Sequence, residues 1–467
     1  MGGPRTLVVR LDSVGDVLLA GPAVRMVAAG SSRVTLLAGP LGEAAARLLP
    51  GVDEVLTFDA PWVGRDPAPV DGDTTGQLVE RLARERFDRA LILTSYHQSP
   101  LPTALLLKLA GIPWIAADSE DYPGSLLQLR HRRARGRHEA RAAMDLAAAA
   151  GFALPPGDTG TLAIQPPPDT GPLTGTDPYV VVHPGATAPA RAWSERRAAR
   201  AVAALAGAGH RVVVTGGESE KELTAAVAGE HALDLGGRTG LHELAGVLAG
   251  ARAVVVGNTG PSHLAAAVGT PVVCLFAPVV PAGRWAPFGV PHVLLGDRDA
   301  PCTGSRAVHC PVPGHPCLEG IEDAEVLAAL DRLPPPSRPR HTPWPPGTTP
   351  SPAPTDADAP RDADAPTQAH APTQAHSLTQ ASPTEAASPA EAAGPTEAPG
   401  PTDTPAPSGP ATTDGPADPA DASRTTNAPD STSTPGPTSA PDPAGEPRRA
   451  APSVAPGNAR PTLETGP

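Results

Sequence analysis

The chain has 467 residues, with 63 prolines, 48 glycines and only 3% aromatic residues, a composition ill suited to one compact core. Its net charge of −13 excludes a general phosphate-backbone binder, and no run of 18 or more apolar residues supports a membrane-spanning helix. The imbalance is local: residues 334–467 hold 33 of the prolines, one aromatic residue and 15 acidic against 7 basic residues, leaving a mildly acidic stretch of about 330 residues that is long enough for two domains.

From the N-terminus, short branched apolar runs occur at 5–11, 33–38, 53–58 and 89–94, separated in several places by Ala- and Leu-rich segments of helical length. That alternation predicts parallel β/α units. The opening MGGPRTLVVRLDSVGD has no cationic start followed by an apolar stretch and a cleavage site, so a cytoplasmic location is expected. The basic run from Arg130 to Arg141 could meet phosphates, although a solvated helix or loop is the simpler expectation. Residues 153–177, rich in Pro, Gly and Thr, read as a short strand plus an interdomain linker between a first domain at 1–152 and a second at 178–333.

The β/α rhythm restarts in the second domain. YVVVHPG, HRVVVTGG, ALDLGG, RAVVVGN and PVVCLFAP each read as a strand, and predicted helices begin near Ser194, Glu218, Leu241 and Pro261. Beyond Leu333, loose Pro-Thr-Xaa-Ala repeats without any apolar period predict a disordered tail over 334–467. Four cysteines make no secreted disulfide framework in a chain of this size. Cys302, Cys310 and Cys317, with His309 and His315, match no zinc ribbon or finger spacing, which leaves a zinc site and a reduced packed loop both open.

Four segments carry residues able to do chemistry, and each follows a predicted strand, at the edge where open α/β sheets bind ligands. Asp12-Ser13-Val14-Gly15-Asp16 places a carboxylate in the first turn of a helix. It holds one glycine where a dinucleotide fingerprint has three. His183-Pro184-Gly185-Ala186-Thr187 is followed by Arg191, whose guanidinium suits a phosphate. In Gly216-Gly217-Glu218-Ser219-Glu220 a carboxylate could accept from ribose hydroxyls, or serve only as an ordinary first-turn anion. Asn258-Thr259-Gly260-Pro261-Ser262-His263 forms a Gly-rich turn into a helix, where backbone N–H groups and the helix dipole favour a diphosphate. Taken singly, each fits a purely structural role; together they surround one cleft if the two domains face each other.

Over about residues 5–330 the chain resembles glycosyltransferase family 9, the ADP-heptose:lipopolysaccharide heptosyltransferases. The resemblance rests on RLDSVGDVLLAGPAV, HPGATAPARAWS and VVGNTGPSHLAAAVGTPVVCLFAP. It implies a GT-B fold of two facing Rossmann-like, doubly wound domains, with acceptor bound mainly by the first and nucleotide sugar mainly by the second. It also implies inversion at the anomeric carbon with no metal or other cofactor.

Carried onto this sequence, the resemblance makes Asp16 the general base, with Ser13 and Gly15 in its turn. Thr187 and Arg191 become the phosphate-binding pair, Arg191 standing where the family often has Lys. Glu220 is the carboxylate near the nucleoside, and Thr259, Gly260 and His263 form the diphosphate turn and its helix. Asn258 occupies a position where the family commonly shows Asp. The implied partners are a nucleoside-diphosphate sugar, with ADP-heptose a candidate, and a glycan or lipid-linked acceptor; no nucleic acid and at most peripheral membrane association are expected. Two alternatives share the fold: a nucleotide-sugar 2-epimerase, and a non-catalytic sugar-nucleotide-binding protein with a partner-recruiting tail.

Overall fold

A computed structural model describes residues 3–64 and 67–335. The tail expected from 334 onward therefore lies, from residue 336, outside the described residues. The first sheet contains β1 (Arg5–Arg10), β2 (Arg33–Ala38), β3 (Glu54–Thr57), β4 (Arg89–Ile92), β5 (Trp114–Asp118) and β6 (Leu129–His131). The second contains β7 (Val180–His183), β8 (Val212–Val214), β9 (Leu233–Asp234), β10 (Ala253–Gly257), β11 (Val272–Leu275) and β12 (His292–Leu295). Five helices accompany the first half: α1 (Val14–Ala29), α2 (Glu43–Leu48), α3 (Gly72–Glu85), α4 (Leu101–Leu109) and α5 (Glu139–Ala149). Next come α6 (Gly171–Thr174), α7 (Glu195–Gly207), α8 (Lys221–Ala228), α9 (Leu241–Gly250), α10 (Gly260–Ala267), α11 (Ala282–Trp285), α12 (Pro316–Glu319) and α13 (Asp323–Arg332).

All ten strand pairings are parallel. The first sheet runs in the order β3-β2-β1-β4-β5-β6 and the second in the order β12-β11-β10-β7-β8-β9, so both are doubly wound with the same connectivity. Their strands are apolar on both faces because helices cover both. Val181, Val213, Val254 and Val256 face one buried cluster while Val180, Val182, Val214 and Val255 face another. The first of these clusters also takes in Val8, Leu18, Val24, Leu91 and Leu264, so apolar packing is continuous from one half to the other.

The stretch 153–177 departs from its sequence reading. No strand forms there, and a short helix occupies Gly171–Thr174. The segment is fastened to both halves: Gln165 donates its N–H to the Leu48 carbonyl at 2.8 Å, buried Arg25 donates to Asp158 at 2.6 and 2.9 Å and to the Thr161 carbonyl at 2.7 Å, and His242 of α9 lies 3.0 Å from the Pro166 carbonyl. Its prolines cannot donate to a ladder, and Leu162 and Ile164 are buried in the larger apolar cluster.

The basic run also differs from a solvated surface. It spans the end of β6 and the loop into α5, where Arg133 pairs with Asp118 at 3.1 Å and Glu139 at 2.8 Å, and Arg137 pairs with Asp145 at 2.7 Å. Arg132 and Arg135 remain exposed. No described helix is long and apolar enough to cross a membrane.

Candidate active site

Each sheet has one topological switch point, between β1 and β4 in the first and between β7 and β10 in the second. Strand order reverses there, so the following connections diverge to opposite faces and open a crevice. The Asp16 turn follows β1; the His183-to-Arg191 segment follows β7; the Asn258 turn follows β10. Only the Glu220 segment comes from a strand, β8, beside a switch point.

Asp16 lies in the first turn of α1, where Ser13 is the N-cap residue with extended backbone. Its Oδ1 stands 3.1 Å from an Arg10 guanidinium nitrogen and accepts from the Trp285 indole N–H at 3.3 Å; its Oδ2 accepts from the Ser13 hydroxyl at 3.3 Å. Arg10, the last residue of β1, is buried and also pairs with Asp12 at 2.9 Å and donates to the Ser95 hydroxyl at 2.8 Å. Asp12 in turn accepts from Gln98 Nε2 at 2.5 Å. Burial pushes the Asp12 carboxyl up to about 6, against the pull of Arg10. A single buried guanidinium thus serves two carboxylates, Asp16 being the more exposed of the two.

The first turns of α1 and α10 abut. A Cβ on Gly15 would stand 3.0 Å from His263 Cδ2 and 3.4 Å from Gly260 Cα, so a side chain here would crowd the His263 ring and glycine suits this close approach of the two turns. His263 is buried, its Nδ1 makes no hydrogen bond, and burial pushes its pKa down to about 4 despite the nearby Asp16 carboxylate. It is a neutral imidazole between two helix ends. Thr259 caps α10 with extended backbone and Pro261 occupies its first turn.

Asn258 is buried and directed at backbone: its Nδ2 donates to the Ala277 carbonyl and its Oδ1 accepts the Ala277 N–H, both at 3.2 Å. These bonds tie the ends of β10 and β11 together. The Arg191 segment is pressed onto the same turn, because a Cβ on Gly257 would fall 2.2 Å from the Arg191 carbonyl oxygen. Arg191 closes a 3₁₀ turn over Pro189–Arg191, and Thr187 is exposed in the loop before it. Glu220 arches over Gly185, accepts the Gly217 N–H at 2.7 Å and lies 4.0 Å from the buried His183. His183 in turn contacts the Thr215 hydroxyl at 3.0 Å.

Sequence reasoning passed over several residues of this constellation. Arg10 carried a signal, being a charge inside an apolar strand; Gln98, Tyr96, Arg284 and Trp285 carried none. A cleft beside Asp16 is lined by Ser95, Tyr96, Gln98, Asp118, Arg133 and Arg284. There Arg284 lies 4.1 Å over the Tyr96 ring and 3.4 Å from Glu139. As for the cysteines, Cys302 and Cys317 are buried within the second half's core with Cys310 packed against it, and burial pushes the Cys317 thiol up to about 11. Among the described residues no group of three or more His, Cys, Asp or Glu side chains is placed to hold a metal ion.

Two parallel, doubly wound sheets whose switch-point turns at α1 and α10 meet make an α/β fold of the GT-B type. The family model for glycosyltransferase family 9 (heptosyltransferase) matches residues 75–314, and the chain belongs to that family. It is 31% identical over 117 residues to lipooligosaccharide heptosyltransferase 2 of Haemophilus influenzae, a match covering 23% of this chain and 34% of that relative, so about a third of the relative's length is spanned. A glycosyltransferase family 9 structure from Veillonella parvula superposes with a TM-score of 0.56 at 19% identity, over 70% of this chain and 96% of the other. The E. coli ADP-heptose lps heptosyltransferase II superposes with a TM-score of 0.55 at 20% identity, over 70% and 97%. At these identities the two structures establish the fold alone.

Proposed function

We propose that the protein transfers a sugar, with heptose the leading candidate, from a nucleoside diphosphate to a hydroxyl of a glycan or lipid-linked acceptor, with inversion and without a metal. The observation that carries this reading is the junction of α1 and α10, which sets the Asp16 carboxylate beside the N-terminus of a helix suited to an anion. Asp16 takes the proton from the acceptor hydroxyl as its oxygen bonds to the anomeric carbon. The bond from that carbon to the diphosphate oxygen breaks, and its electron pair leaves with the diphosphate. Thr187, Arg191 and the Gly260 N–H at the start of α10 meet the growing negative charge, a task for pre-aimed dipoles and cations. Glu220 receives ribose hydroxyls over Gly185, while Asn258 fixes the turn through Ala277. ADP-heptose is the candidate donor because heptosyltransferases are the relatives this chain resembles.

The test is Asp16→Asn, which keeps the size of the side chain and removes its basicity. Transfer should fall by about 10²- to 10⁴-fold while calorimetric binding of the donor stays within twofold. Unchanged transfer would remove Asp16 from the mechanism. A panel of ADP-, GDP-, UDP- and dTDP-sugars identifies the donor. Transfer that persists in excess chelator is the outcome expected of metal independence.

A further inference from the structure

The catalytic carboxylate is built by one half of the protein and held in part by the other. Trp285 belongs to α11, 269 residues after Asp16, yet its indole N–H reaches Asp16 Oδ1 at 3.3 Å. The segment that carries it is clamped onto the start of α5 in the first half. His138 accepts the Ala140 N–H at Nδ1, which leaves Nε2 as the protonated nitrogen donating to the Ala286 carbonyl at 3.0 Å. Burial lowers the proton affinity of His138 and so favours this neutral form. The His138 ring stacks on Phe288 with centroids 4.7 Å apart, and Arg141 lies 5.4 Å over the same ring. Arg284 reaches Glu139, and Tyr96 packs against Trp285 at 5.7 Å. The indole is therefore fixed from several sides, and its one polar atom points at the base.

We infer that Trp285 is a positioning residue for Asp16: together with Arg10 it holds Oδ1 and fixes the carboxylate plane, and Oδ2, which accepts only the 3.3 Å bond from the small, rotatable Ser13 hydroxyl, is the oxygen that takes the acceptor's proton. The inference rests on the reading of Asp16 as the base. Arg10 alone would restrain the carboxylate from below, along β1. The indole, from the opposite half, adds a second hold on Oδ1, and it is in place only while the two halves are clamped. A carboxylate free to turn presents its reactive oxygen correctly for a smaller fraction of encounters, which lowers the turnover rate without touching the donor site.

The experiment is a cycle of Trp285→Phe, Asp16→Asn and the double variant, measured in the full chain with the donor and acceptor that support transfer. Trp285→Phe retains an aromatic ring beside Tyr96 and removes the N–H. It should lower kcat by about 10- to 100-fold, the equivalent of one hydrogen bond to a charged group, with the donor KM within twofold. In the Asp16→Asn background it should cause no further loss, because its effect passes through that carboxylate. If Trp285→Phe is poorly folded by thermal melt, replacing the indole with benzothienylalanine removes the N–H at nearly constant shape, with the same expectation. A kcat within twofold of the parent, or an equal loss in both backgrounds, overturns the positioning role while Asp16 remains the base. Full transfer by Asp16→Asn alone overturns both readings.

Discussion

Gly185→Ala displaces the candidate ribose-binding carboxylate without deleting it. A Cβ at this position would stand 1.9 Å from Glu220 Oε1 and 2.3 Å from its Cδ, far inside contact distance. The obstacle is the far end of a flexible, partly exposed side chain, so the backbone can stay where it is and Glu220 swings out. What the apo protein loses is the bond from the Gly217 N–H, 2.7 Å long and close to solvent, with a net worth of about 1 kcal/mol. The melting temperature should therefore move only slightly. Nucleotide binding should suffer more. A carboxylate accepting from a ribose hydroxyl contributes about 1.5–3 kcal/mol, so its displacement should weaken ADP, or whichever nucleotide the donor panel selects, by about 10- to 100-fold. Titration calorimetry on Gly185→Ala and Glu220→Gln side by side measures this. Parent-like affinity in both variants would refute the placement of the nucleoside against Glu220, while weakening in Glu220→Gln alone would show that the displaced carboxylate still reaches its ligand.

His263 gives a pH signature. Its folded-state pKa near 4 lies below the ordinary value of 6.5, so the unfolded chain binds the proton first, and stability present above pH 6.5 is lost as pH falls toward 4. The loss attributable to this residue is about 3 kcal/mol, and denaturant midpoints for the parent and His263→Gln should converge as pH falls through that window. A constant gap between them would show that His263 does not titrate as a buried neutral ring. Gly15→Ala improves helix propensity by about 1 kcal/mol but crowds the His263 ring at 3.0 Å, at a cost of about 1–3 kcal/mol. It should lower the melting temperature modestly and kcat more; a gain in stability at full activity would show that the junction yields freely.

The parallel β/α plan was legible because strands such as β1, β2, β7 and β10 are buried on both faces and read as unbroken branched runs. β5 and β6 were not. Trp114-Ile115-Ala116-Ala117-Asp118 has two alanines among its five residues and an acid at its C-terminal end, and Leu129–His131 is three half-buried residues at a sheet edge. In the site, Asp16, Gly260 and Glu220 were readable from local grammar, an acid or a glycine where a strand gives way to a helix. Trp285 and Gln98 were not, since each acquires its place from a partner many residues away: 269 for Trp285 to Asp16, 86 for Gln98 to Asp12. The Asn258 side chain could be located from sequence, but its attachment to Ala277 could not, because that bond depends on the register of β10 against β11.

The meeting of α1 and α10 has an electrostatic consequence of its own. Two helices touching through their first turns bring like poles together, each equivalent to roughly half a positive charge. Among the first-turn residues of the two helices the one acid is Asp16. Its carboxylate is thus the counter-charge that makes the junction tolerable before any substrate arrives, and a bound diphosphate would add a second. Position 16 is therefore constrained by the architecture that carries it as well as by the proton transfer proposed for it. A sequence that dispensed with transfer would still keep an anion there for as long as it kept the two halves joined in this way.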